Sequence, residues 1–140
     1  MRKWQRWIIR GTALITIRWD RLKFHRRSRQ MNRVIRKQSE LEELSRELLQ
    51  QDVVALDTEF HGEKRYWPDL YLIQIAGSGG PVAIDPLEID DLSPLGELAR
   101  STSTVKVIHS ARNDIHLLMH HLGVEFNYVF DTQLAAAFLG

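Results

Sequence analysis

Two acidic residues stand two positions apart, where a strand would present both of them to one ligand. Asp57 and Glu59 follow the apolar run Val53 to Leu56, and side chains at positions i and i+2 of a strand leave the same face. Neighbouring carboxylates repel each other, and a hard divalent cation such as Mg²⁺ or Mn²⁺ removes that repulsion. The pair therefore indicates a metal site, although such spacing arises by chance about twice in a chain of this acidic content.

A third carboxylate supports the same interpretation. Asp114 lies early in a helix predicted after Val105 to Ile108, a second buried strand that we expect beside Val53 to Leu56. One helical turn before Leu118, Asp114 is on the core-facing flank and can point toward the acidic pair. Ligands of open α/β sheets bind at the carboxyl ends of the strands, where all three side chains would meet. A favourable interaction with the helix dipole is the alternative explanation for Asp114.

Hydrophobic periodicity predicts the elements that would position these residues. Leucines at helical spacing predict a helix over 39–50, with Ser39 and Glu42 as its capping box. Three strands joined by short turns predict an antiparallel meander. Later strand–helix–strand steps require parallel pairing and right-handed crossovers, so we expect a mixed sheet with helices on both faces. The predicted strands are 53–56 (running into 57–60), 71–76, 82–85, 105–108 and 128–130, and the later helices begin at Ser93, Ser110, and Asp131 or Thr132.

Basic residues are concentrated at one end of the chain. Residues 1–37 hold 13 basic residues and one acidic residue, a formal charge of +12, whereas residues 38–140 carry 6 against 17, or −11. This division predicts a basic N-terminal arm over 1–37 and a folded domain over 38–140. The arm is interpreted as disordered or as a start-site artefact with the initiator at Met31, and phosphate binding is the alternative. Its apolar run over 11–17 is too short to span a membrane.

The chain has no cysteine. This excludes disulfides and thiolate zinc sites, and it fits a reducing compartment. We therefore expect a cytoplasmic protein without a membrane partner.

Several motifs occur together in the order and spacing of the ribonuclease D family. The segments Leu56–Phe60, Tyr66-x-Pro68 and Leu72–Ile75 resemble the first exonuclease motif and its hairpin, and Ile84–Leu87 matches the next strand. Ile108–Asp114 resembles the second motif, and Phe130–Ala136 resembles the later strand-to-helix junction. The resemblance covers about residues 38–140, and several motifs in register are far more specific than any one of them.

The resemblance implies a fold and a set of site residues. The fold is α/β, a ribonuclease-H-like mixed sheet with an antiparallel three-strand meander, parallel strands and flanking helices, incomplete at its C-terminus. Asp57, Glu59 and Asp114 match three of the family's four acidic metal ligands. The fourth belongs to a third motif, with a tyrosine four residues before an aspartate, which does not occur within the 140 residues. We therefore expect a C-terminally truncated domain that alone is weakly active or inactive. Asp131 is expected to cap a helix instead of replacing the fourth ligand.

The resemblance also implies an activity. It is 3′-to-5′ exonuclease hydrolysis of RNA ends with two divalent cations, Mg²⁺ or Mn²⁺, releasing nucleoside 5′-monophosphates. The expected partners are single-stranded RNA 3′ ends such as tRNA-like precursors, with no stable protein partner. The expected substrate-binding residues are Thr58, Phe60, Tyr66, Gln74 and His109.

Other interpretations stay open. The chain could be a non-catalytic nucleic-acid-binding module or a non-functional gene fragment. His116 and His120 are four residues apart on a helix, where a solvated face is favoured over a zinc site because no third ligand is evident. Tyr66 and Trp67 could stack on bases or simply pack within the hairpin.

Overall fold

The computed structural model describes residues 33–62 and 66–139, together with the backbone of two short strands nearer the N-terminus. Those strands, β1 (Trp7–Ile9) and β2 (Ala13–Ile15), pair antiparallel with each other. The other strands are β3 (Val34–Ile35), β4 (Val53–His61), β5 (Asp69–Gly77), β6 (Gly80–Ile84), β7 (Val105–Ile108) and β8 (Val129–Asp131). The helices are α1 (Gln38–Leu48), α2 (Ser93–Arg100), α3 (Arg112–Leu122) and α4 (Thr132–Ala137).

Strands β3 to β8 form one six-stranded mixed sheet in the order β3-β6-β5-β4-β7-β8. The antiparallel pairs β4–β5 and β5–β6 make the predicted meander, and β7 pairs parallel with β4 as expected. Strand β8 adds in parallel to β7, and β3 adds in parallel to β6. The predicted α/β class and mixed sheet are therefore confirmed.

Strand β3 corrects the predicted start of the domain. Val34 pairs with Ala83 and Ile35 with Ile84, and Ile35 is fully buried in the core. The sheet thus begins before the predicted boundary at Gln38. A two-residue strand is too short to show any periodicity in the sequence, so only its tertiary pairing reveals it. The interpretation of the remaining N-terminal residues as a basic arm stays a prediction, since most of them lie outside the described residues.

Helices α1, α2 and α3 pack on one face of the sheet, and the expectation of helices on the other face stays a prediction. Leu44 of α1, Leu98 of α2 and Leu118 of α3 belong to a single core that covers the buried face of β4 and β5. Strand order explains this arrangement. The steps β3-α1-β4, β6-α2-β7 and β7-α3-β8 all advance in the same direction across the sheet, and right-handed crossovers in one direction place their helices on one face.

The start of α1 is also different from the prediction. The helix begins at Gln38 with Lys37 as its N-cap, and no side chain caps it. A tertiary contact holds this end instead: the Gln38 amide donates to the Asp91 carbonyl at 2.9 Å and accepts the Asp91 N–H at 3.2 Å. Ser39 is therefore inside the first turn, and the predicted capping box is wrong. The start of α2 at Ser93, with Pro94 in its first turn, is confirmed.

None of the helices among the described residues is both long and apolar enough to cross a membrane.

Candidate active site

Strand β4 presents Asp57 and Glu59 on one face. Burial alternates along the strand: Val54, Leu56 and Thr58 point into the core under the helices, whereas the two carboxylates are exposed on the opposite side. The alternation follows from the period of two in a strand. Within the described residues neither carboxylate has a hydrogen bond or an ion pair. Asp57 and Glu59 therefore lie on the same face of β4, as predicted.

Polar side chains lie opposite Asp57 and beyond the end of β7. Gln74 of β5 lies directly opposite Asp57 in the antiparallel ladder. On the other side the parallel pairing of β4 with β7 ends with Ala55 and Val107, and His109 follows the last residue of β7. His109 is exposed, and its Nδ1 lies 2.9 Å from the Thr132 hydroxyl oxygen at the start of α4. The structure thus gives two polar pairs, Asp57 with Gln74 across β4 and β5, and His109 with Thr132 beyond the ends of β7 and β8.

Asp114 reaches β4 from the helix-covered side. Only 7% of the residue is exposed, and its Oδ1 accepts the backbone N–H of Thr58 at 3.1 Å together with the Thr58 hydroxyl. Because β7 ends at Ile108, no strand carbonyl accepts this N–H, and the Asp114 carboxylate accepts it instead. Asp114 therefore contacts the residue between Asp57 and Glu59. Within residues 33–62 and 66–139, no three His, Asp or Glu side chains are grouped as a metal site.

The turn that leads into α3 is held by Asp131 and not by Ser110. Helix α3 begins at Arg112 with Ala111 as N-cap, and Ser110 adopts a left-handed φ of 56°. The Asp131 carboxylate accepts the N–H groups of Ser110 and Ala111, at 3.1 and 2.9 Å. The predicted Ser110 cap is wrong because a carboxylate from the neighbouring strand performs that role.

Asp131 also caps α4, as predicted. Its carboxylate accepts the N–H groups of Gln133 at 2.8 Å and Leu134 at 3.4 Å. Burial raises the pKa of the Asp131 carboxyl, but hydrogen bonds from four backbone N–H groups outweigh this and hold the pKa below its ordinary value. One carboxylate therefore fixes the starts of two helices, including the one that carries Asp114.

Comparison with known proteins bears on this arrangement. Residues 32–140 match the family model described as a 3′–5′ exonuclease. The chain belongs to the 3′–5′ exonuclease family. A ribonuclease D of Desulfotalea psychrophila is 44% identical over 108 residues, which are 76% of this chain and 29% of that protein. The chain thus spans less than a third of the length of this curated relative.

Solved structures agree with the family assignment. The crystal structure of Escherichia coli RNase D, an exoribonuclease involved in structured RNA processing, has a TM-score of 0.73 and 34% identity, covering 77% of this chain and 29% of that one. A structure of Brucella melitensis NrnC with bound Mg²⁺ has a TM-score of 0.55 and 30% identity, covering 65% and 46%. Exonucleases of this family generally depend on divalent metal ions. The chain accordingly has a ribonuclease-D-like domain with the ribonuclease-H-like fold expected from its motifs.

The aromatic residues before β5 divide between packing and exposure. Trp67 stacks on His120 of α3 with ring centroids 4.1 Å apart and planes within 3°. Tyr66 meets Trp67 edge-on and is 90% exposed. Packing thus accounts for Trp67, whereas Tyr66 stays available for a base. His120 has an aromatic neighbour, which the solvated-face interpretation did not anticipate.

The remaining predicted substrate-binding residues are dispersed around the acidic strand. Phe60 is exposed on β4 just beyond an irregularity in its pairing with β5. Gln74 lies opposite Asp57, and His109 contacts Thr132. Thr58 is buried, with its hydroxyl hydrogen-bonded to Asp114.

Sequence reasoning missed one ionisable residue of the core. Lys106 of β7 is fully buried, and its Nζ donates to the carbonyl oxygens of Ser101 at 2.7 Å and Thr104 at 2.9 Å. Burial lowers the pKa of Lys106 to about 8. The sequence did contain a sign of this buried amine, because Lys106 stands in the middle of a predicted buried strand.

Proposed function

We propose that the protein is a metal-dependent 3′-to-5′ exonuclease that shortens RNA from its 3′ end. In this proposal Asp57, Glu59 and Asp114 are metal ligands. The observation that carries this proposal is the geometry of β4. Two exposed carboxylates share one face, and the third is hydrogen-bonded to the residue between them. This donor set, all carboxylate oxygen, suits Mg²⁺ or Mn²⁺. Two such cations, when bound, activate the attacking water and stabilise the leaving 3′ oxygen.

The side chains around Asp57 suit the end of a nucleic acid strand. Gln74 and His109 can donate to phosphate oxygens or accept from ribose hydroxyls, and the exposed Phe60 and Tyr66 offer rings on which a base can stack. Thr58 is a less suitable substrate ligand, because its hydroxyl is buried and bonded to Asp114. The substrate contacts within this proposal are therefore Phe60, Tyr66, Gln74 and His109.

The substrate class follows from the relatives. Ribonuclease D proteins are the curated relatives, and the Escherichia coli enzyme is described as an exoribonuclease. We propose single-stranded RNA 3′ ends as substrate, with tRNA-like precursors as the natural form, and nucleoside 5′-monophosphates as products. We further propose a cytoplasmic location, which the absence of cysteine supports. The proposed domain begins near Val34, preceded by a basic arm with no stable protein partner.

A matched pair of variants tests the proposal. Single-stranded RNA labelled at its 5′ end is incubated with the 140-residue chain in Mg²⁺, Mn²⁺ or a chelator. We expect slow, metal-dependent loss of single nucleotides from the 3′ end, abolished by Asp57→Asn. Asp52→Asn is the control, because Asp52 is an exposed carboxylate just before β4 that the proposal does not use. A DNA oligonucleotide of the same sequence measures the preference for RNA.

Other outcomes would point elsewhere. RNA binding that needs no metal and survives Asp57→Asn, without any trimming, would identify a non-catalytic binding module. Trimming that is equally fast in the Asp57→Asn variant would refute the assigned ligands.

A further inference from the structure

We infer that Thr58 is a positioning residue that aims the Asp114 carboxylate at the metal site. This inference rests on the proposed function, and it goes beyond it by giving a role to a residue that contacts no substrate. Thr58 is buried beneath the helices, between the exposed Asp57 and Glu59. Its side chain points away from the face on which those carboxylates lie.

Both hydrogen-bond donors of Thr58 converge on one oxygen. The backbone N–H and the side-chain hydroxyl both donate to Asp114 Oδ1, and within the described residues no hydrogen bond reaches Oδ2. Two donors on one oxygen fix the rotation of the carboxyl group more firmly than either donor alone. Asp114 is therefore held so that Oδ2 is the oxygen available to a cation, which favours monodentate binding.

The same contact sets the separation of the two elements that carry the acidic residues. Asp57 and Glu59 lie on β4, and Asp114 lies in the first turn of α3. Thr58 joins β4 to α3 at the point where β7 no longer separates them, beyond Ile108. Partners that orient a metal-binding side chain typically change metal affinity 10- to 100-fold when they are removed. The Thr58 hydroxyl is expected to act at the lower end of this range, because the backbone N–H remains in every variant.

Substitutions at Thr58 separate the hydroxyl from the shape of the side chain. Thr58→Val keeps the branched shape and removes the hydroxyl, whereas Thr58→Ser keeps the hydroxyl and removes a methyl group. The control is Thr104→Val, because Thr104 is also a fully buried threonine and lies in the loop before β7, away from Asp114. Binding of Mn²⁺ to the whole chain is measured by electron paramagnetic resonance, and circular dichroism verifies folding.

We expect Thr58→Val to bind Mn²⁺ about 10-fold more weakly than the unaltered chain, with Thr58→Ser and Thr104→Val within about 3-fold of it. Unchanged Mn²⁺ affinity in a folded Thr58→Val variant would overturn the inference. If Thr58→Val does not fold, Thr58→Ala provides the same comparison without the branched side chain, and the same outcomes decide.

A further variant distinguishes failure of this inference from failure of the proposed function. Asp57→Asn should weaken Mn²⁺ binding whether or not Thr58 matters. Mn²⁺ affinity that depends on Asp57 but not on Thr58 leaves the metal site intact and refutes only the positioning role. Mn²⁺ affinity that depends on neither residue refutes the metal site, and the inference with it.

Discussion

The buried Lys106 should make this domain more stable as the pH rises. A lysine in an ion pair with a carboxylate would have the opposite effect. Its side chain runs from β7 into an apolar space lined by Leu56, Ile73 and Phe126, and burial lowers its pKa from 10.5 to about 8. Between those two values the unfolded chain binds a proton that the folded chain does not. Stability must therefore rise as the pH increases from 8 to 10.5.

The size of the effect follows from the two pKa values. With a full shift from 10.5 to about 8, the free energy of unfolding increases by about 2 kcal/mol between pH 7.5 and pH 9.5. The carbonyl oxygens of Ser101 and Thr104 stabilise the charged form, and solvent screening reduces the effect further. We therefore expect an increase of about 1 kcal/mol over this range.

Urea denaturation at several pH values measures this contribution. The quantity of interest is the free energy of unfolding of the unaltered chain minus that of Lys106→Met, because the subtraction removes the titration of all other groups. Lys37→Met is the control, since it makes the same substitution at an exposed lysine. If the difference between the unaltered chain and Lys106→Met stays constant from pH 7.5 to pH 9.5, Lys106 is not titrating as a buried amine, and the reasoning is refuted.

Three further predictions concern the elements around the site. Asp131→Ala should lower the thermal midpoint more than Asp91→Ala, because the Asp131 carboxylate accepts four backbone N–H groups across two helix starts, while the Asp91 carboxylate accepts one backbone N–H and one hydroxyl, both of Ser93; equal midpoints would contradict this. Gly123→Ala should lower the free energy of unfolding by about 1 kcal/mol, since Gly123 ends α3 with a left-handed φ of 64°. Chemical denaturation measures this free energy, and an unchanged value would contradict the prediction. Trp67→Ala should move the ring-proton signals of His120 downfield, since the stacked indole no longer shields that ring; an unchanged spectrum would mean that the rings are not stacked in solution.

The sequence was sufficient for features that depend on local pattern. The buried strands 53–56 and 105–108 and the meander between them were predicted from apolar runs and turns, and they are present. Gly123 ends α3 as a local feature of the same kind, because the left-handed φ at that position favours glycine. Asp131 was predicted to cap α4, since an N-cap acts on residues only two or three positions away.

Features that depend on distant residues were predicted poorly. Ser39 and Ser110 both had the residue type of an N-cap, but Asp91 holds the first of these helix starts and Asp131 the second. Strand β3 has only two residues, and its pairing with β6 is visible only in three dimensions. In each case the stabilising partner is more than ten residues away, where no sequence period reports it.

The acidic site shows the same division. The sequence by itself determined that Asp57 and Glu59 share a face, because alternation along a strand is a property of the backbone. It also associated Asp114 with them through the motifs of an exonuclease family. Only the tertiary structure decided how Asp114 is held: β7 ends at Ile108, an N–H of β4 is left without a strand partner, and Asp114 accepts it together with the Thr58 hydroxyl. That contact exists because an unpaired buried N–H is costly, and its partner could be identified only once the strand order was known.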